Sequence, residues 1–472
     1  MKRTKIICTL GPASSDPGVL EKMINAGMNI ARLNFSHGTH EEHARRIKTL
    51  REVAAKLNKP VGILADIQGP KIRTGTLWES PLEMAEGAHF RLTVDSAKEQ
   101  LPGFIFVAYP TLATDVRVGG KIYLADGMIE LKVLAIVGAD LECEVVNGGE
   151  LTSKKGVTLP GTVVNLPAMM DKDRADIEFA VQQKVDFIAV SFARKAVHIM
   201  EIRELVKSWG GTQLLIAKIE NEEGFRNSEE ILSVSDGMMV ARGDLGTEVP
   251  LEEVPLIQSH LIGICNSAGK PVITATEMLE SMVRNPRPTR AEITDIAHAI
   301  QDGTDAIMLS AETAVGKYPI AAVTIMSQVA GRIEASLKYG RILATKKVGP
   351  FPSVSDAISH ATCQTAYDIK AVAIITSTQS GSTARMVAKY RPEAPIIAAT
   401  PSMKVSRELT LVWGVYPIIV PSAANIDHMI DVSVAAAKKA GFITKNDLTV
   451  ITAGVRTGIP GSTNLLKVHY IE

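Results

Sequence analysis

The sequence predicts an α/β protein: a closed (β/α)8 TIM barrel with an inserted small β-barrel lid domain and a C-terminal open α/β domain. Three observations carry this expectation. A short apolar strand, a polar or glycine-bearing turn and a helical pattern recur eight times between Met1 and Leu343, at the roughly 24- to 34-residue rhythm of β/α units. One interval, between the third strand and the fourth, holds far more chain than a single helix can fill. A linker-like segment, Lys346–Pro352 (KKVGPFP), then precedes a fresh α/β pattern. With 472 residues, the chain exceeds what one core accommodates, so two or three domains are expected.

Taken in order, the barrel strands are read at Lys5–Leu10, Asn29–Phe35, Val61–Ile67, Asp186–Phe192, Gln213–Ile219, Gly237–Ala241, Pro271–Ala275 and Asp305–Leu309. Helical patterns follow, for example at Pro17–Ala26, Glu41–Leu57, Asp173–Gln182 and Thr289–Ile300. Eight units favour a closed parallel barrel over an open sheet, spanning residues 1–73 and 167–345. Between 74 and 166 the pattern changes to short alternating β segments, His89–Val94, Lys121–Ala125, Ile129–Ile136 and Leu141–Val146, with glycines supplying the turns. An insertion at a barrel mouth is well placed to act as a lid. Residues 346–472 give helix Val354–Asp368 and strands Ala371–Thr376, Pro395–Ala399, Tyr416–Val420, Leu448–Thr452 and Lys467–Ile471.

Composition narrows the function. Lysine plus arginine equals aspartate plus glutamate at 51 each, which argues against a nucleic-acid surface or an anionic membrane patch. Cys8, Cys143, Cys265 and Cys363 are scattered, with no C-x-x-C pair. They read as reduced thiols of a cytoplasmic protein. No secretory signal and no bilayer-length apolar run is read.

The barrel strands end in chemistry. In Gln213–Gly224 (QLLIAKIENEEG), Lys218 and Glu220 lie two residues apart and so share a strand face. Asp236–Gly246 (DGMMVARGDLG) ends on Arg242, Gly243 and Asp244. Glu220 and Asp244 on neighbouring strand ends suit one hard divalent cation, with Lys218 and Arg242 facing the same pocket. The other use of such residues is an ion-pair cluster closing the barrel rim. In Asn29–Gly38 (NIARLNFSHG), Arg32, Asn34 and Ser36 share one face, and arginine offers a planar fork for a phosphoryl group. Ser36 equally suits a cap of the following turn. Val61–Gly75 places Asp66, Lys71 and Arg73 around a Gly-Pro turn, while Pro271–Met282 and Asp305–Gly316 contribute Thr276 and Ser310.

Seven motifs in register, ARLNFSHG, DIQGPKIR, AKIENEEG, MVARGDLG, TATEMLESM, NPRPTRAE and DGTDAIMLSAETA, resemble the pyruvate kinase family, bacterial type, over essentially the whole chain. The resemblance implies phosphoryl transfer from phosphoenolpyruvate to ADP. It implies Mg²⁺ (or Mn²⁺) on Glu220 and Asp244, substrate carboxylate on the Gly243 and Asp244 amides, and Arg32 and Lys218 at the phosphoryl group. Thr276 and Ser310 would stand near protonation of the enolate. Asn34, His37, Arg73, Lys155 and Asp126 would serve the nucleotide, the last two from the lid. Asn34, Ser36, Asp66 and the carbonyl of Ile67 match the family's K⁺ positions, but Lys71 fills a slot where many members carry glutamate. Activity without K⁺ is therefore expected. Glu277 replaces a common glutamine. Thr376–Thr383 (TSTQSGST) resembles an effector loop, with Thr378, Ser380, Ser382 and Thr383 meeting the phosphate of a regulatory metabolite and Gly454–Thr463 facing them. A serine-rich N-cap is the plain alternative. A homotetramer follows from resemblance alone. Two other functions compete: a barrel enzyme doing carbon–carbon chemistry on phosphoenolpyruvate or pyruvate, which needs no ADP, and a catalytically silent sugar-phosphate binder.

Overall fold

The computed structural model describes residues 1–472 apart from 163, 347, 349–352, 424 and 455–462. Most of the expected linker and the loop expected to face the effector residues thus lie outside the described residues.

Eight parallel strands close a ring: β1 (Lys5–Thr9), β2 (Ile30–Asn34), β3 (Gly62–Asp66), β4 (Phe187–Val190), β5 (Leu214–Ile219), β6 (Gly237–Ala241), β7 (Val272–Ala275) and β8 (Ala306–Leu309). Each pairs with the next, and β8 returns to β1 with Lys5 opposite Ala306. Alternation divides every strand between two cores. Ile6, Cys8, Ala31, Leu33, Ile63, Ala65, Leu215 and Ala217 pack outward under the helices. Ile7, Ile30, Leu64, Phe187, Ala189, Ile216, Met239, Ile273 and Met308 fill the interior. The flanking helices start where their caps dictate. Thr39 and Thr289 each accept from the backbone three residues on, and Glu42 and Glu292 return the bond.

The inserted region is expected as a small barrel. It instead pairs as a six-stranded sheet and a two-stranded ribbon, Gly149–Leu151 with Leu82–Met84, around one core that includes Leu92, Ile105, Ile122, Leu131 and Val145. The C-terminal region is a five-stranded sheet, parallel except for its last strand, Thr463–Tyr470, which runs antiparallel to Leu448–Gly454. Its two faces carry separate cores. Leu411, from a 3-10 turn at Leu409–Leu411, packs into the interior stack of the barrel and plugs its floor. Among the described residues, no helix is long and apolar enough to cross a membrane.

Candidate active site

The interior alternation that buries Ile30, Leu64, Ala189 and Ile216 brings Arg32, Asp66, Ser191 and Lys218 inward one step further along each strand. They meet. Arg32 Nε lies 2.6 Å from Asp66 Oδ2, and its NH1 donates to Thr9 Oγ1 at 2.9 Å. Lys218 Nζ lies 3.2 Å from Asp66 Oδ1 and 2.9 Å from Glu220 Oε1, and donates to Ser191 Oγ at 2.6 Å. Burial pushes the Asp66 carboxyl up, but Lys218 and Arg32 together outweigh it and hold the group below the usual carboxylate range. Burial alone would pull Lys218 down; Asp66 and Glu220 together keep its ammonium above the ordinary lysine value.

Glu220 and Asp244 lie close enough for each carboxylate to act on the other's protonation. Glu220 Oε2 accepts the Phe192 N–H at 2.6 Å. Burial, with the Asp244 charge adding to it against Lys218, pushes the Glu220 carboxyl up to about 7. Burial also pushes Asp244 up, but Lys71 and Lys218 hold it below its usual value. Two neighbouring carboxylates, one of them short of positive charge, are what a hard divalent cation neutralises. Among the described residues no group of three or more His, Cys, Asp or Glu gathers for a metal, so a cation here would take its other ligands from water and substrate.

Lys71 bridges the inserted region and the barrel: Nζ lies 2.9 Å from Asp126 and 2.8 Å from Asp244. Among the described residues its hydrogen bonds and ion pairs go to these two carboxylates and not to Asn34, Ser36 or Asp66. Of the expected K⁺ positions, Asn34 Oδ1 accepts the Ser36 N–H at 3.1 Å, Asp66 accepts from Arg32, and the Ile67 carbonyl accepts Ser191 Oγ at 2.7 Å. His37 and Lys155 have exposed side chains, and Arg73 NH1 donates to the Lys154 carbonyl at 3.2 Å.

Arg242 corrects the sequence expectation. It turns away from Lys218 to Asp295 at 2.6 Å and the Thr276 carbonyl at 2.6 Å. The helix Arg242–Glu248 begins at this residue, so Arg242 and Asp244 no longer share a face as they would on a strand. Gly243 N–H donates to Thr276 Oγ1 at 2.8 Å. Thr276 and Glu277 both have positive φ, 70° and 56°, a backbone strain that commonly marks functional turns.

Several groups escaped sequence reasoning. Ser191 follows from the same alternation as Arg32 and Lys218, two positions after inward Ala189. Glu312, 0 % exposed, accepts the Ser310 and Leu279 N–H groups at 2.6 and 3.0 Å. Burial pushes its carboxyl up. The buried Ser310 Oγ beside it has no partner among the described residues. In the C-terminal region, Thr378 Oγ1 accepts the Gly381 N–H at 2.9 Å and Thr383 Oγ1 bonds Thr463 Oγ1 at 2.8 Å. Ser380 offers its carbonyl to Arg385 at 2.6 Å, and Ser382 opens the helix Ser382–Lys389.

Comparison with known proteins places the whole chain. A family model described as pyruvate kinase, barrel domain, matches residues 1–323, and one described as pyruvate kinase, alpha/beta domain, matches residues 356–469. A curated pyruvate kinase from Geobacillus stearothermophilus is 52% identical over 100% of this chain, which spans 81% of that protein. One from Clostridium acetobutylicum is 49% identical over 100% of both. One from Staphylococcus aureus (strain MRSA252) is 48% identical, again over 100% of this chain and 81% of its own length. With both family models matched in order and relatives this similar along its whole length, the chain belongs to the pyruvate kinase family.

Proposed function

We propose that the chain transfers the phosphoryl group of phosphoenolpyruvate to ADP, giving pyruvate and ATP, with Arg32 and Lys218 neutralising the group in flight. The observation that carries the residue roles is the buried pair of cations held over Asp66 at the barrel mouth. Fixed charges aimed where charge develops supply most of the acceleration expected in phosphoryl transfer. A β-phosphate oxygen of ADP attacks phosphorus, the P–O bond to the enol oxygen breaks, and the enolate carbon then takes up a proton. Thr276 and Ser310 stand near that last step; the unpartnered Ser310 hydroxyl supports a place for it in a proton path through water.

The donor set fits Mg²⁺ or Mn²⁺ on Glu220 and Asp244, and the bound ion would supply positive charge against substrate oxygens. The substrate carboxylate would meet the amides of Gly243 and Asp244, with Thr276 releasing the Gly243 N–H to it. His37, Arg73 and Asn34 would receive the nucleotide, together with Lys155 and Asp126 from the lid. K⁺ is not required in this reading. Protein donors engage the oxygens of Asn34, Asp66 and Ile67, and Lys71 adds a fixed positive charge at Asp244.

The proposed division is a catalytic barrel (1–73 and 167–345), a lid (74–166) and an effector domain (346–472). In the last, Thr378, Ser380, Ser382 and Thr383 would hold the phosphate of a regulatory metabolite. A cytoplasmic homotetramer completes the proposal. The deciding experiment is a coupled assay for ADP-dependent pyruvate formation with Mg²⁺; pyruvate release that ignores ADP would refute kinase activity.

A further inference from the structure

The loop after β4 grips three parts of the molecule within four residues. Ser191 Oγ accepts from Lys218, and Phe192 N–H donates to Glu220, each at 2.6 Å. Between them and the next contact the chain has little slack, because Ala193 N–H is itself held by the Lys218 carbonyl at 3.2 Å. Arg194 then points the other way. Its NH1 donates to the Val164 carbonyl at 3.1 Å, and its NH2 to the carbonyls of Leu166 and Pro167 at 2.5 and 3.1 Å. Those three carbonyls lie on the chain that returns from the inserted region to the barrel.

Arg194 is 2 % exposed. Among the described residues it forms no ion pair, and its Nε has no partner. A buried guanidinium hydrogen-bonded only to neutral carbonyls, with burial outweighing the nearby Glu223 charge, is a costly way to fill space. It is, however, the side chain whose rigid fork can hold several backbone oxygens in one fixed arrangement. The loop cannot retreat either. The Arg194 carbonyl accepts Asn227 Nδ2 at 2.8 Å. The neighbouring helix presses so close that a Cβ on Gly224 would stand 2.4 Å from the Ala193 carbonyl oxygen.

We propose that Arg194 is a positioning residue for phosphoryl transfer, tying the orientation of the inserted lid to the placement of Lys218 and Glu220. The inference rests on the reading of the insert as a lid and of those two residues as catalytic. Rotation of the lid about its return segment displaces the carbonyls at 164, 166 and 167, and Arg194 passes that displacement to Ser191 and Phe192. Lid closure and alignment of the charged pair are thus one event.

The test uses Arg194→Ala and Arg194→Lys in the full chain. The alanine variant is expected to lose about 10- to 100-fold in kcat, the scale for a misplaced reacting geometry, with a raised KM for ADP. Lysine restores little, because one ammonium cannot span three carbonyls; it also carries the comparison if the alanine variant does not fold. Combined with Lys155→Ala in the lid, the losses are expected to be less than multiplicative. In ligand-free protein, hydrogen exchange should quicken at 157–170 and at the Phe192 amide, while Ala373–Ser377 and Ile396–Thr400 stay protected. Multiplicative losses, an unchanged Phe192 amide, or faster exchange throughout the chain would each overturn the coupling. A wild-type protein making no ADP-dependent pyruvate would defeat the kinase reading instead, and the exchange result would still decide whether Arg194 joins the two segments.

Discussion

The two ends of the barrel use the same chemistry to opposite purposes. At the floor, Arg391 is saturated: Nε and NH2 bond Asn266 Oδ1, NH1 lies 2.9 Å from Asp305 Oδ1, and NH2 also reaches the Gly303 carbonyl. Asp305 is saturated in turn, accepting the Val272 and Trp413 N–H groups. Arg407 also closes on Asp186 at 2.8 Å, although burial still pushes that carboxyl up. At the mouth, Arg32, Asp66, Lys218 and Glu220 are just as buried, yet Glu220 is left short of positive charge and Lys71 lends one ammonium to two carboxylates. A buried ion pair with every partner supplied by protein joins domains. At the mouth, the shortfall of positive charge at Glu220 suits a cation.

That contrast can be broken by experiment. The largest effect is expected from Lys218→Met at the mouth, which should lower kcat by about a thousandfold or more, the scale of lost transition-state charge stabilisation. Divalent-cation-dependent substrate binding should be largely kept; retained turnover removes Lys218 from the mechanism. At the floor the outcome inverts. Arg391→Ala leaves Asp305 buried and uncompensated and should cost about 3–5 kcal/mol of stability, with kcat of the surviving protein unchanged. Chemical denaturation beside initial rates would separate the two ends, and a purely kinetic effect would contradict the division. Leu411→Ala, opening the plug, should cost about 2–5 kcal/mol by the cavity it leaves, read in the same way.

Lys5 offers a test by pH. Its ammonium, buried at the floor beside the Val415 carbonyl, is pushed down to about 7, chiefly by burial and then by Lys2. Between pH 7 and the ordinary lysine range the unfolded chain holds a proton that the folded chain has released. Stability contributed through this group therefore rises with pH across that window, by about a few kcal/mol. Lys5→Met should flatten the rise, and an unaltered pH–stability curve would mean Lys5 keeps its proton. The smallest effect is expected at the mouth: rates in sodium-only and potassium buffers should agree within about twofold, because Lys71 is a fixed charge that no added ion need replace. A large loss without K⁺ would show that the oxygens of Asn34, Asp66 and Ile67 still demand an ion.

Much of the mouth was legible because a strand has period two. Once Ile30, Leu64 and Ile216 are read as inward, Arg32, Asp66 and Lys218 must follow them. The same rule misled at Arg242, where the strand gives way to a helix, and it said nothing of Glu312, which stands in a short helix of its own at Ala311–Ala314. The insertion's exact sheet pairing was also hidden, since pairing partners such as Leu131 and Val145 are chosen by burial rather than by local pattern.

By itself, the sequence determined eight β/α units, one insertion and a ring of polar strand ends, because periodicity and spacing are local properties of a chain. Only the tertiary structure decided that Lys71 joins Asp126 to Asp244, that Arg194 clasps the segment returning from the insertion, and that Leu411 seals the barrel from below. Each of these contacts joins residues far apart along the chain, and closure of the whole fold is what brings them within reach.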